Sequence, residues 1–212
     1  MVPTLLNPIG RSTGVRYVTY IESTGTQYID SGWYLPSDSH SFRLEMKFIP
    51  STSQRRQWCC MCGLNRSRGG GTRQYYLLTL TDASTTGITA VNGYAGSSVA
   101  FTDLSDPFLV SMAYDGAGHT SVTANGNSNG FSDGLQNDQA ANLYIFAPHY
   151  DPPITTNPQN ISAKLFYFKI TEENALVRDF IPVLDKAGVA CLYDRVSKQF
   201  FYNSGSGQFQ YA

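Results

Sequence analysis

The chain predicts an all-β fold, two antiparallel sheets packed as a β-sandwich, on three observations. The first is composition: 14 Tyr and 12 Phe stand among 19 Gly and 10 Pro in 212 residues. Aromatic side chains suit pleated, half-buried surfaces, and Gly and Pro punctuate short strands. The second is the run Phe42-Arg-Leu-Glu-Met-Lys-Phe48. Phe42, Leu44, Met46 and Phe48 fall on one face and Arg43, Glu45 and Lys47 on the other, the alternation of a sheet with one dry face. The third is the last third of the chain. There the apolar runs 163–170 and 176–183 and the stretch 188–205 follow one another across short polar turns, leaving no room for a crossover helix.

Taken in order, residues 1–16 carry Pro3, Pro8, Gly10 and Gly14 around Leu5, Leu6 and Ile9, the pattern of an extended arm outside the core. Its apolar residues need a cover, on the domain or on a neighbouring subunit, and the second option would make the arm an assembly device for a homo-oligomer. Strands are predicted over 17–22 and 27–30, joined by a Ser-Thr-Gly-Thr turn, then over 42–48, 57–63, 75–80 and 87–92. Residues 108–114 and 120–124 read as a hairpin across Asp115-Gly, which supplies the positive φ angles of a turn. Residues 125–139 read as a polar loop, 142–147 as a return to the core and 149–160 as a Pro-rich loop. No helical period of useful length occurs, and 172–176 form at most a turn. Residues 17–212 are expected to be one domain, since sandwiches of this length commonly share one core.

A hydrophobic fraction of 42% with 15% charged residues suits a folded chain. A net charge of −1 supplies no field to gather a polyanion, which argues against nucleic acid as partner. The arginines at 55, 56, 66, 68 and 73 are the exception. Their Ser, Gly and Gln neighbours read as a solvated loop, with a patch for anionic glycan or phosphate as the alternative. No stretch has the apolar length of a bilayer span, and the opening Met1-Val-Pro-Thr lacks the form of a secretory signal, so cytoplasmic synthesis or prior processing is expected. Cys59, Cys60, Cys62 and Cys191 lack the paired spacing of a zinc site. In a regular strand Cys60 and Cys62 would share one face and Cys59 and Met61 the other, as buried reduced thiols. A bridge from Cys191 to that cluster stays open.

Tyr20-Ile-Glu-Ser-Thr-Gly-Thr-Gln-Tyr-Ile-Asp30, Ser111-Met-Ala-Tyr-Asp-Gly116, Thr120-Ser-Val-Thr-Ala-Asn-Gly126, Arg178-Asp-Phe-Ile-Pro182, Leu192-Tyr-Asp194 and Phe200-Phe-Tyr-Asn-Ser-Gly-Ser-Gly-Gln-Phe209 together resemble the laminin-G-like, concanavalin A-like jelly rolls. The variety they resemble most is a short type of gut bacterial surface proteins, phages and prophages. The resemblance covers nearly all of the chain from Tyr17 onward and is most specific in the tail. It implies a curved sheet sandwich that binds carbohydrate or protein at a cell or virion surface. It also implies the possibility of one calcium ion at the sandwich rim, for which Asp115, Asn125, Asp133 and Asp138 offer hard oxygen ligands. Turns require the same residue types.

Fold leaves activity open, because one sandwich serves lectins, hydrolases and scaffolds alike. A glycoside hydrolase needs two carboxylates flanking the scissile bond, one of them protonated. Glu45, between Arg43 and Lys47, is ill placed to hold a proton and reads as a cross-strand ion pair on the outer face. Asp179 beside Arg178, Asp194 beside Arg195 and Asp185 in an Asp-Lys-Ala-Gly turn read as structural. A nucleophile elbow is a strand-to-helix turn and no helical run is predicted to follow any serine, and His40, His119 and His149 fall in predicted turns. For a sugar, Trp33, Tyr34, Tyr94, His149, Tyr150 and Asn157 lie in or beside loops and offer rings and polar groups. The expectation is therefore a non-enzymatic recognition or assembly module of a phage virion or bacterial surface, without an obligatory cofactor. A glycan-cleaving enzyme and a plain scaffold are the alternatives.

Overall fold

The computed structural model describes residues 4–6, 12–34, 39–51, 59–67, 73–80, 87–92, 95–100, 106–132, 141–151 and 160–212; of 4–6, 12–14, 65–67, 73–80, 92 and 150–151 it describes the backbone alone. Every regular element among them is a strand. In chain order these are β1 (Thr4–Leu6), β2 (Ser12–Tyr17), β3 (Ile21–Thr24), β4 (Ile29–Asp30), β5 (Phe42–Pro50), β6 (Cys60–Ser67), β7 (Arg73–Leu80), β8 (Gly87–Asn92), β9 (Ala95–Ala100) and β10 (Phe108–Tyr114). There follow β11 (His119–Ala124), β12 (Asn127–Ser132), β13 (Tyr144–Ile145), β14 (Pro148–Asp151), β15 (Ser162–Glu172), β16 (Ala175–Leu184), β17 (Ala190–Asp194), β18 (Gln199–Phe201) and β19 (Gln210–Tyr211).

The larger sheet runs β1-β2-β16-β15-β5-β10-β11-β12, with β17 and β18 continuing from β16 and with β3 and β19 beside β15. The smaller runs β4-β13-β6-β7-β8-β9, and β14 joins β6 in parallel. The apolar stripe of β5 faces inward, Phe42, Leu44, Met46 and Phe48 being at most 3% exposed. It meets Ile29, Cys62, Leu64, Ile88 and Ile145 of the other sheet in a common core. Burying apolar area between two such faces is the main stabilising contribution in a sandwich.

Three local features depart from the sequence expectations. The described part of 1–16 forms a hairpin, β1 with β2, whose second strand joins β16 through Tyr17 and Arg16. Val15 is 3% exposed and packs with Val183 and Cys191 in a second small cluster on the outer face of the larger sheet. Val15 therefore finds its cover within the chain. Second, residues 127–132, expected as loop, are strand β12, entered by the two-residue turn Asn125-Gly126 with φ of 47° and 87°. Asn-Gly is the preferred pair for a type I′ hairpin, whose twist matches that of the strands. Glu173-Asn174, with φ of 46° and 65°, makes a turn of the same kind between β15 and β16. Third, an irregularity between Cys60 and Cys62 breaks the alternation of β6. Cys59, Met61 and Cys62 all join the main core, and Cys60 does not. All four cysteines are buried free thiols.

Candidate functional site

At one end of the sandwich the β16–β17 turn and the segment after β18 enclose an open cleft of about 480 Å³, lined by residues 187–190 and by Tyr202, Asn203, Gly205, Gly207, Gln208, Phe209 and Tyr211. Asp185 builds the first wall. Its Oδ1 accepts the N–H groups of Ala187 (2.9 Å) and Val189 (2.8 Å), and its Oδ2 accepts the Tyr202 hydroxyl at 3.1 Å. The Val189 N–H is the strongest influence on this carboxyl. With the other donors it outweighs a slight desolvation and holds the group below the usual carboxylate range. Burial, then the Asp185 hydrogen bond and charge, push the Tyr202 phenol up.

The second wall is folded by Asn203, whose Oδ1 accepts Gly205 N (2.9 Å) and Tyr28 N (3.2 Å) and whose Nδ2 donates to Gly207 O (2.9 Å). Gln27 Nε2 donates to Ser206 O at 3.0 Å. At Gly205 a Cβ would lie 2.2 Å from Thr26 O, so only glycine allows this approach. Phe209 then inserts into the core against Phe146, ring centroids 5.4 Å apart, and Gln210 and Tyr211 pair with Glu22 and Ile21 of β3. Val189, Tyr202 and Tyr211 are left 43%, 45% and 46% exposed around the opening. Among the described residues, none that lines the cleft carries a charge. The arrangement offers two phenol rings with apolar faces and polar tips, an exposed amide at Gln208 and the carboxylate of Asp185 behind Tyr202.

Among the described residues, none of the ligand candidates from the sequence lines this cleft. Trp33 turns inward at 6% exposure, edge-on to Phe42, with Nε1 donating to Glu172 Oε2 at 3.1 Å. It is a core residue and supplies no platform, because its one polar atom is satisfied inside. Tyr34 stays exposed at 44%. His149 lies in β14 and stacks on Tyr144, which stacks on Tyr28, with centroid distances of 4.0 and 4.8 Å. His149 Nδ1 is 2.7 Å from Asn142 O, so that nitrogen carries the proton. Burial first, then the Asp30 carboxylate, raise the Tyr144 phenol. Tyr150 follows in β14 beside Asn65. Tyr94 and Asn157 lie outside the described residues.

Of the proposed calcium ligands, the two that are described, Asp115 and Asn125, do not converge. Asp115 Oδ1 caps its own turn, accepting Ala117 N at 2.7 Å and His119 N at 3.0 Å, and the His119 and Ala117 bonds hold its carboxyl low. Asn125 sits at the far end of β11 and accepts Leu109 N at 3.0 Å. Six strand residues separate the two, about 20 Å at strand rise, so they cannot hold one ion. Asp133 and Asp138 lie outside the described residues, and among the described residues no group of three His, Cys, Asp or Glu could hold a metal.

The carboxylates Glu45, Asp179 and Asp194 are engaged structurally. Glu45 lies 3.5 Å from Arg43, 3.9 Å from Lys169 and 3.2 Å from the Tyr167 hydroxyl. Burial, then the Glu45 charge and hydrogen bond, push that phenol up to about 12. The aspartate–arginine pairs are crossed between strands, in place of pairing with their sequence neighbours. Arg195 holds Asp179 Oδ2 through Nη2 at 2.7 Å and Nε at 2.8 Å, while Arg178 Nε stands 3.8 Å from Asp194. His40 meets Glu172 at 2.9 Å, and His119 begins β11, inside a strand where a turn was expected. Of the arginine cluster, Arg66 and Arg73 fall in β6 and β7, at one end of their hairpin, where a loop was expected. Arg55, Arg56 and Arg68 lie outside the described residues.

No protein-family model matches the chain, and no curated protein matches it. Among solved structures, one titled "Crystal structure of the receptor binding domain" is similar at 12% identity with a TM-score of 0.37, the likeness covering 80% of this chain and 41% of the other. The chain thus spans less than half of that structure's length, and a likeness so distant carries no argument.

Proposed function

We propose that this chain is a non-enzymatic recognition module whose cleft between the β16–β17 turn and the segment after β18 binds neutral carbohydrate. The observation that carries the reading is that Tyr202 and Tyr211, both nearly half exposed, line an opening with no charge among its described lining residues. Phenol rings bury the C–H faces of a pyranose while their hydroxyls and the Gln208 amide meet its hydroxyl groups. The volume of about 480 Å³ falls within the roughly 300–1,000 Å³ of small-ligand sites. The Asp185 carboxylate behind Tyr202 disfavours acidic sugars through like-charge repulsion. Binding without turnover is supported by Asp179, Asp194 and Glu45, each already held by arginine, lysine or backbone N–H groups. The tail's resemblance to concanavalin A-like domains supports the same reading and suggests the surface of a phage particle or bacterial cell as its setting.

The test is a glycan array probed with the purified chain, with and without calcium, beside Tyr202→Ala and Tyr211→Ala chains whose melting curves establish folding. Neutral glycans are expected to bind, equally in both buffers, and to be lost in the two folded variants. Binding that survives both substitutions, or a blank array, would overturn the assignment.

A further inference from the structure

The cleft does not end at Tyr202. On the outer face of the larger sheet, Ile181, Tyr193 and Phe200 lie side by side across β16, β17 and β18, by the pairings Ile181 with Tyr193 and Tyr193 with Phe200. Tyr202 follows Phe200 by two residues and shares its face. The Tyr193 and Phe200 ring centroids are 5.2 Å apart, and those of Phe200 and Tyr202 6.2 Å. Tyr193 and Phe200 pack their undersides on Val15, Val183 and Cys191 and keep part of their surface in solvent. The row of three rings thus crosses from β17 to β18 and then follows the chain past β18 into the cleft, with Tyr193 and Phe200 held from below by a small apolar cluster.

We infer that this row is an extension of the binding site, so that the ligand is a neutral glycan chain of three or more sugar units rather than a single terminal sugar. The inference rests on the cleft being a sugar site. The step between neighbouring rings is comparable with one pyranose along an extended chain, so successive units can lie over successive rings. Arg195 is closed on Asp179 at 2.7 Å, and the Asp185 carboxylate is hydrogen-bonded by the Ala187 and Val189 N–H groups and the Tyr202 hydroxyl, so an uncharged chain meets no bare ion at either place. The rings are already fixed in the sheet, so little side-chain entropy is lost when the chain docks. Continuity is what selects this occupant: the row is joined to the cleft through Tyr202, which belongs to both.

The experiment is a size-graded array of unbranched homo-oligomers of glucose, galactose, mannose and N-acetylglucosamine, one to six units, in α and β linkages, followed by calorimetry on the series that binds. Affinity is expected to rise at least about fivefold from one unit to three and then level off. A Tyr193→Ser chain is expected to lose that gain while keeping the single-sugar affinity, and a Phe200→Leu chain, which keeps the apolar packing, to lose part of it. An affinity that is flat from one unit upward in the wild type overturns the inference and leaves the cleft standing. A wild type that binds no sugar of any length removes the cleft reading and the inference together.

Discussion

Replacing Asp194 by alanine is expected to cost a third or more of the stability of the whole domain. The side chain is fully buried. Its Oδ1 accepts Asp179 N at 2.8 Å and Val196 N at 3.0 Å, and its Oδ2 accepts Ser197 N at 3.2 Å. Burial alone would raise this carboxyl, but the hydrogen bonds, that from Asp179 N first, prevail and hold it below its usual range. Hydrogen bonds to a charged group contribute roughly 1.5 kcal/mol each at the low end, so three removed together come to about 4–5 kcal/mol. That agrees with the roughly 3–5 kcal/mol for breaking a buried charged pair, set against a total of about 5–15 kcal/mol. Urea unfolding followed by far-UV circular dichroism gives the difference as a shift of midpoint at constant slope. The pH dependence supplies an independent check. A folded-state pKa below the unfolded value of about 3.9 stabilises in full above that value, and the contribution is lost as pH falls through the folded value. The gap between wild type and D194A is therefore wide at about pH 6 and narrows below about pH 4. Asp194→Asn, which keeps one acceptor oxygen and cannot ionise, should fall between the two and show no such narrowing. A D194A chain within about 0.5 kcal/mol of wild type, or a gap that widens in acid, would refute the reasoning.

Trp33→Phe should destabilise by roughly 1–2 kcal/mol in urea through loss of the Glu172 hydrogen bond, and should leave sugar binding unchanged because the ring lies in the core. Gly205→Ala forces a methyl group against Thr26 O and should lower the melting temperature by several degrees, read by scanning calorimetry. The Cys191 thiol, pushed up to about 12 by burial and then by the Asp185 charge, and that of Cys60, also raised by burial, should resist iodoacetamide at about pH 8 until denaturant is added, as mass spectrometry of the labelled chain would show.

The elements most legible in the sequence are those whose pattern is local. Strand β5 shows its inward stripe directly, and the turn at Asp115 carries its own signal. Strand β12 was hidden because Asn127-Ser-Asn-Gly has the composition of a loop, although the Asn125-Gly126 pair before it carried a hairpin signal. The bulge in β6 left no mark, since Cys-Cys-Met-Cys is apolar on either face of a strand. Trp33 and Tyr202 are the instructive pair among the site residues. Both are aromatics beside Gly-containing turns, and only the distant partners, Phe42 and Glu172 for one and Asp185 for the other, decide which enters the core and which stands in solvent. The cleft is invisible to residue pattern because its walls meet only when β19 has paired with β3.

That pairing also governs how the molecule is made. Strand β3 receives its two neighbours, β15 and β19, from segments more than a hundred residues further along the chain. Contacts so remote in sequence must close large loops before they stabilise anything, which places folding in the slow, millisecond-to-second range of all-β domains. Until then both backbone edges of β3 lack their native partners, as does Ile21, which is wholly buried once they arrive. This strand is the part of the nascent protein most exposed to wrong partners and the place where a chaperone has most to shield.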